Sequence, residues 1–201
     1  MTYIDQQVDQ FDLRAALAAV SDQRRCHALR YRQEHDQRLS VAAFRLLQHA
    51  LREEHGIVAP PTFIYDVHGK PMLSDHPDIF FNLSHCHEAA ACVVGTAPVG
   101  IDVESLSNYN ADIVTAVMSD DEQRQIASSS DPRFTFIRLW TMKESLLKMT
   151  GEGMTDNLRH ALNHPAIHSG AILFHTTVYP QFVCTVCYSK DDSTASISKD
   201  D

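Results

Sequence analysis

Val99-Gly100-Ile101-Asp102-Val103-Glu104 alternates apolar and polar positions, the period-two pattern of a β-strand with one face turned to a core. In that conformation Asp102 and Glu104 project from one face, two hard oxygen donors side by side. Gly100, just before them, lets another backbone or a ligand come close. By itself an Asp-x-Glu on a half-buried strand is an ordinary polar edge, so its meaning depends on what surrounds it.

Working outward, the residues before this strand read as further strands: Thr62–Val67, a turn at His68-Gly69-Lys70-Pro71, then Ile79–Leu83 and Ala89–Val94, with a turn at Thr96-Ala97-Pro98. Upstream of them, Leu29, Val41, Phe44, Leu47 and Leu51 recur at three- and four-residue spacing, which predicts two helices between Asp22 and Glu54 stopped by Gly56. Downstream, Ser119 and Glu122 have the spacing of a capping box, and Asp131-Pro132 sets an N-cap before a proline. The second of these helices is predicted from Pro132 to Met149, with Gly151 as its stop, and is expected to be the longest element. Ala171–Val178 and Gln181–Tyr188 read as strands around Tyr179-Pro180, and Ser189–Asp201 as a flexible polar tail. Helix, helix, strands thus occurs twice. The expected fold class is α+β, with two similar halves.

The 201 residues carry 17 Lys and Arg against 26 Asp and Glu, a formal charge of −9, which argues against nucleic acid as a partner. Hydrophobic residues at 44% and charged residues at 21% are ordinary for a globular protein, which excludes a mainly disordered or fibrous chain. The apolar run Ala89–Val94, which no other exceeds, is far short of the roughly 20 residues of a membrane helix, so no membrane partner is expected. Residues 1–10 lack a basic start and an apolar stretch, and five cysteines are too few and odd in number for a disulfide framework; both point to the cytoplasm. Arg24, Arg25, Arg30, Arg32, Arg38, Arg45 and Arg52 form a local basic region in an acidic chain.

The helix around Trp140 holds Lys143, Glu144 and Lys148, with Glu144 and Lys148 at the i, i+4 spacing of an ion pair. Asn82-Leu83-Ser84-His85 closes a predicted strand and puts a hydroxyl and an imidazole where a loop could meet a phosphate. Cys184-x-x-Cys187, and His85 and His87 around Cys86, raise a zinc site. Strand positions three apart face opposite sides and no second pair exists, so these read as thiols. His160 and His164 read as surface residues.

Taken in order, Gly69-Lys70-Pro71, Phe81-Asn82-Leu83-Ser84-His85, Val99–Glu104, Trp140-Thr141-Met142-Lys143-Glu144-Ser145-Leu146-Leu147-Lys148 and Gly151-Glu152-Gly153 resemble the 4'-phosphopantetheinyl transferase family, in its larger Sfp-like branch of two similar halves. The resemblance implies two α+β halves related by a pseudo-two-fold axis with the active site between them. Residues 1–98 would form the half contacting the coenzyme A adenosine and 3'-phosphate, and residues 99–188 the half with the metal and catalytic residues, followed by the tail at 189–201.

The implied reaction moves the 4'-phosphopantetheine arm of coenzyme A to a serine of an apo acyl or peptidyl carrier protein, releasing adenosine 3',5'-bisphosphate. Asp102, Glu104 and Glu144 would hold Mg²⁺, with Mn²⁺ as an alternative. Glu144 would also accept the serine proton, and Lys148 and His85 would contact the phosphates. Coenzyme A would further meet Arg25 first and Arg24 second, with Lys70, Pro71 and Ser84. Two fused halves imply a monomer. The competing readings are a non-catalytic coenzyme A or carrier-protein binding module and a Mg²⁺-dependent nuclease.

Overall fold

Two long helices, each ended by a left-handed glycine, frame the molecule in a computed structural model that describes residues 1–153 and 158–191. The elements in chain order are β1 (Thr2–Asp5), α1 (Leu13–Ala19), α2 (Asp22–Ala28), α3 (Glu34–His55), β2 (Phe63–Tyr65), β3 (Pro71–Leu73), β4 (Phe80–His85), β5 (Ala90–Gly95) and β6 (Val99–Ser105). After a 3-10 turn at Leu106–Asn108 come α4 (Ala111–Val117), α5 (Asp120–Ser128) and α6 (Pro132–Thr150). A second 3-10 segment at Leu158–Asn163, α7 (Pro165–His168), β7 (Ile172–Val178) and β8 (Phe182–Ser189) complete it. Most of the predicted tail lies outside the described residues, and Ser189 itself ends β8.

Gly56 (φ 68°) donates its N–H to Arg52 O and closes α3, and Gly151 (φ 77°) donates to Leu147 O and closes α6. Asp131 caps α6 through Phe134 N at 3.0 Å, with Pro132 in the first turn, and Ser119 and Glu122 form the reciprocal capping box of α5. One expectation is reversed. At 22 residues α3 outruns α6 at 19, because nothing between Glu34 and His55 breaks its helical run.

Sheet β1-β5-β4 and sheet β6-β8-β7 are both antiparallel, with β2-β3 a separate hairpin. On one face of the first sheet, Phe81, Cys92 and Val94 pack against Leu47 and Leu51 of α3. On its other face, Ala91 and Val93 pack against Val99, Ile101, Val103, Cys184 and Val186 of the second sheet. That sheet's far face receives Leu146 and Met149 of α6 against Cys187. The layers therefore run helix, sheet, sheet, helix, an α+β architecture. Cys184 and Cys187 fall in clusters on opposite faces of β8, and the five cysteines are free thiols. Among the described residues no helix is long and apolar enough to cross a membrane. β1, α1, β3, α4 and α7 have no counterpart in the sequence reading.

Candidate active site

Strand β6 lies so close on α6 that only glycine can stand at 100. A Cβ there would sit 1.9 Å from the Ser145 carbonyl oxygen and 2.6 Å from Met149 N. The close approach that Gly100 permits is thus to a backbone, that of α6. By strand alternation Asp102 and Glu104 then face the same helix. Lys148 Nζ donates to Asp102 Oδ1 at 2.6 Å and to Ser84 Oγ at 3.0 Å, while Ser84 Oγ donates to Asp102 Oδ1 at 3.0 Å. Trp140 Nε1 donates to Glu104 Oε1 at 3.1 Å, and Asn108 Nδ2 to Glu104 Oε2 at 3.1 Å. Lys148 therefore does not pair with Glu144 one turn before it. It reaches across to the buried carboxylate of Asp102, where the attraction is screened less.

Burial raises the Asp102 carboxyl above its ordinary range, against the opposing pull of Lys148 and Ser84. Burial and then repulsion from Asp102 raise Glu104, and the same two causes raise Glu144. Three acidic groups thus share one desolvated region with a single lysine. Asp102 Oδ2 and Glu144 Oε1 are buried without a hydrogen-bond donor, an expensive state for an acceptor. Among the described residues no three His, Cys, Asp or Glu side chains are gathered into a cation cage. The two orphaned oxygens nevertheless suit a hard divalent cation, which takes oxygen ligands and needs no donor from the protein.

A cleft of about 290 Å³ opens beside this cluster, lined by Lys70, Pro71, Asn82, Glu144, Lys148 and Gly151 among others. Lys70 comes from the β2-β3 turn, donates to Met149 O at 2.7 Å, and has its ammonium pKa lowered by burial. His85, at the end of β4, stacks edge-on against Tyr31 at 6.0 Å. Burial, with Lys148 and Arg24 nearby, lowers its pKa to about 4, so the ring is neutral at pH 7.

Residues 98–197 match the family described as the 4'-phosphopantetheinyl transferase superfamily. A 4'-phosphopantetheinyl transferase of Bacillus subtilis is 29% identical over 156 residues, covering 76% of this chain and 70% of the relative. The 4'-phosphopantetheinyl transferase psf-1 of Bacillus pumilus is 32% identical over 142 residues, covering 69% of this chain and 61% of the relative. The 4'-phosphopantetheinyl transferase Sfp of Bacillus subtilis strain 168 is 24% identical over 204 residues, covering 94% and 91%. The chain belongs to the 4'-phosphopantetheinyl transferase superfamily.

In this superfamily member, Asp102, Ser84 and Lys148 share direct hydrogen bonds, and Glu104 and Glu144 interact with them through space. The two N-terminal arginines part company. Arg25 turns out to Asp22 at 2.5 Å. Arg24 turns in, donates to the Ser40 carbonyl and to Ser40 Oγ at 2.7 Å, and lies over the Phe44 ring at 5.5 Å. Its Nε is buried without an acceptor, and burial lowers its pKa. Of the two, only Arg24 acts on His85. Sequence reasoning missed Tyr31, which backs His85, and Asn108, which holds Glu104. It also assigned no task to Trp140 or Asn82. The single tryptophan was a usable signal for the first, and the place of Asn82 in Asn82-Leu83-Ser84-His85 was one for the second.

Proposed function

We propose that this cleft transfers the 4'-phosphopantetheine arm of coenzyme A to a serine hydroxyl of an apo acyl or peptidyl carrier protein, releasing adenosine 3',5'-bisphosphate. The observation that carries the reading is the pair of orphaned carboxylate oxygens, Asp102 Oδ2 and Glu144 Oε1, the second on the wall of a cleft that also presents Lys70 and Lys148, the hydrogen-bond partner of Asp102. Asp102 and Glu144, with Glu104 beside them, would hold Mg²⁺ or Mn²⁺; such an ion supplies positive charge to the pyrophosphate being cleaved. Glu144 takes the serine proton on a carboxylate oxygen not engaged by the ion.

Lys148 leaves Asp102 to bind phosphate oxygens, where its charge opposes that developing on the departing phosphate. His85, being neutral, assists as an N–H donor. Lys70 and Pro71 line the adenosine end, and Ser84 aids phosphate binding. Arg24 is the stronger candidate for the 3'-phosphate, because its buried cation lacks a carboxylate partner while Arg25 is paired with Asp22. Residues 1–98 and 99–188 act as two similar halves about a pseudo-two-fold axis, the site lies between them, and the working unit is a cytoplasmic monomer. The helix, sheet, sheet, helix layering supports that division.

Intact-protein mass spectrometry of an apo acyl carrier protein with this chain, coenzyme A and Mg²⁺ tests the reading. A gain of one phosphopantetheine, lost with chelator, is expected. Coenzyme A binding without any gain on several carriers would favour a binding module, and cleavage of plasmid DNA with Mg²⁺ would favour a nuclease.

A further inference from the structure

Strands β4 and β6 belong to different sheets and share no backbone ladder. Side chains bridge them. The Ile101 N–H donates to Asn82 Oδ1 at 3.3 Å, the Val103 N–H donates to Ser84 Oγ at 3.2 Å, and Ser105 Oγ donates to Glu88 Oε1 at 2.9 Å. In antiparallel pairing alternate N–H groups point away from the partner strand. Those of Ile101 and Val103 point away from β8 and meet Asn82 and Ser84. The first two rungs advance by two residues on each strand, so side chains set the register between the two edges.

Asp102 stands between these rungs. Asn82 holds the Gly100–Ile101 peptide one residue before it, Ser84 holds the Asp102–Val103 peptide, and its carboxylate must meet Ser84 at 3.0 Å and Lys148 at 2.6 Å. Around the rungs the packing is apolar, from Ala91, Val93, Val99, Ile101 and Val103. An Ile101 N–H that lost its acceptor there would have to move to find another. Asn82 is 8% exposed and belongs to the cleft wall.

We propose that Asn82 is a positioning residue for the transfer: by accepting the Ile101 N–H it sets where Asp102 stands relative to Ser84 and Lys148. The inference rests on the transferase reading above. Ser84 performs the same task one rung along with a hydroxyl, so a serine at 82 reproduces the chemistry that alanine removes.

The test measures kcat for carrier modification and, separately, the coenzyme A dissociation constant of Asn82→Ala and Asn82→Ser. Misplacing a catalytic group by about 1 Å can cost on the order of a hundredfold in rate. Asn82→Ala is therefore expected to lose at least about tenfold in kcat, with coenzyme A affinity within about twofold of the parent and most of the kcat restored in Asn82→Ser. An unchanged kcat in Asn82→Ala overturns the proposal. So does a serine variant as slow as the alanine one, and so does a coenzyme A affinity that falls in step with rate, which marks a substrate contact. If Asn82→Ala does not fold, Asn82→Gln, which moves the amide one methylene along, serves instead. Lowered kcat at unchanged affinity supports the proposal and parental kcat overturns it. A parent chain that modifies no carrier refutes the transferase reading, whereas an active parent with an equally active Asn82→Ala refutes only the role of Asn82.

Discussion

Gly100→Ala is the smallest change that separates the two supports of the site. The added Cβ would lie 1.9 Å from Ser145 O and 2.6 Å from Met149 N, where ordinary contact begins at 3.4 Å. Both atoms are main chain, so no rotamer change relieves the clash, and α6 must retreat from β6 by about 1.5 Å. Overpacking of this kind costs about 1–3 kcal/mol, and with backbone on both sides the upper end applies. The effect on catalysis is larger. Ser145 and Met149 flank Lys148 and follow Glu144 on α6, so the same retreat pulls both away from Asp102, and a displacement near 1 Å is enough for about a hundredfold loss of rate. Urea unfolding followed by the fluorescence of Trp140, the sole tryptophan, measures the first quantity, and mass-resolved carrier modification the second. Ser145→Gly in the same chain gives no relief, because the serine side chain is not what is struck. Stability within about 0.5 kcal/mol of the parent together with an unchanged rate would refute the backbone-contact account.

Lys148→Met removes the cation that competes for Asp102; Mn²⁺ binding without coenzyme A, read by electron paramagnetic resonance, is expected to tighten about tenfold or more. Unchanged Mn²⁺ affinity in that variant sinks the competition. Lys143 is fully buried and donates to Val117 O, Leu158 O and Arg159 O at 2.9–3.1 Å beside Glu122 at 2.8 Å, so Lys143→Met should cost about 3–5 kcal/mol in urea unfolding. Adding Glu122→Gln should recover part of the loss, and a purely additive double variant would argue against a coupled pair. The folded-state pKa of His85, about 4, lies below its ordinary 6.5, so its contribution to stability is present above pH 6.5 and is lost as pH falls toward 4. In His85→Gln the decline of the urea midpoint over that window should be shallower; an identical decline would assign the acid sensitivity elsewhere.

The parts of the site that follow from local geometry were legible in the sequence. Alternation alone put Asp102 and Glu104 on one face, Gly100 announced a close approach, and Glu144 and Lys148 share a helical stripe. The pairing of Lys148 with Asp102 was not legible, because it depends on how β6 is stacked on α6, and the sequence suggested only the local partner Glu144. Which of Arg24 and Arg25 faces inward was not legible for a related reason. Adjacent helical residues point about 100° apart, and Arg24-Arg25-Cys26-His27 has no apolar period to fix which of them faces inward. Ser40 and Phe44, from α3, make that choice. Likewise β1 is four residues long and pairs with β5 across the chain, Thr2 with Val93, so little in its own residues announces it.

Unpaired charge of both signs is built into the ligand-free protein. Three buried or half-buried carboxylates, all with raised pKa, share Lys148 on the β6–α6 side, while Arg24 sits buried without a carboxylate on the side of α2 and α3. Either arrangement alone weakens the fold, since desolvated charge is costly and opposite charges placed elsewhere do not compensate it. Had the two groups been adjacent they would have neutralised each other and left nothing to attract a ligand. Held on different elements, they would suit, on the proposed reading, a molecule that is anionic at its phosphates and arrives with a cation. That arrangement would let a chain of net charge −9 take a polyanionic substrate without being basic overall. On that reading, affinity would come from charges that the fold keeps from meeting one another.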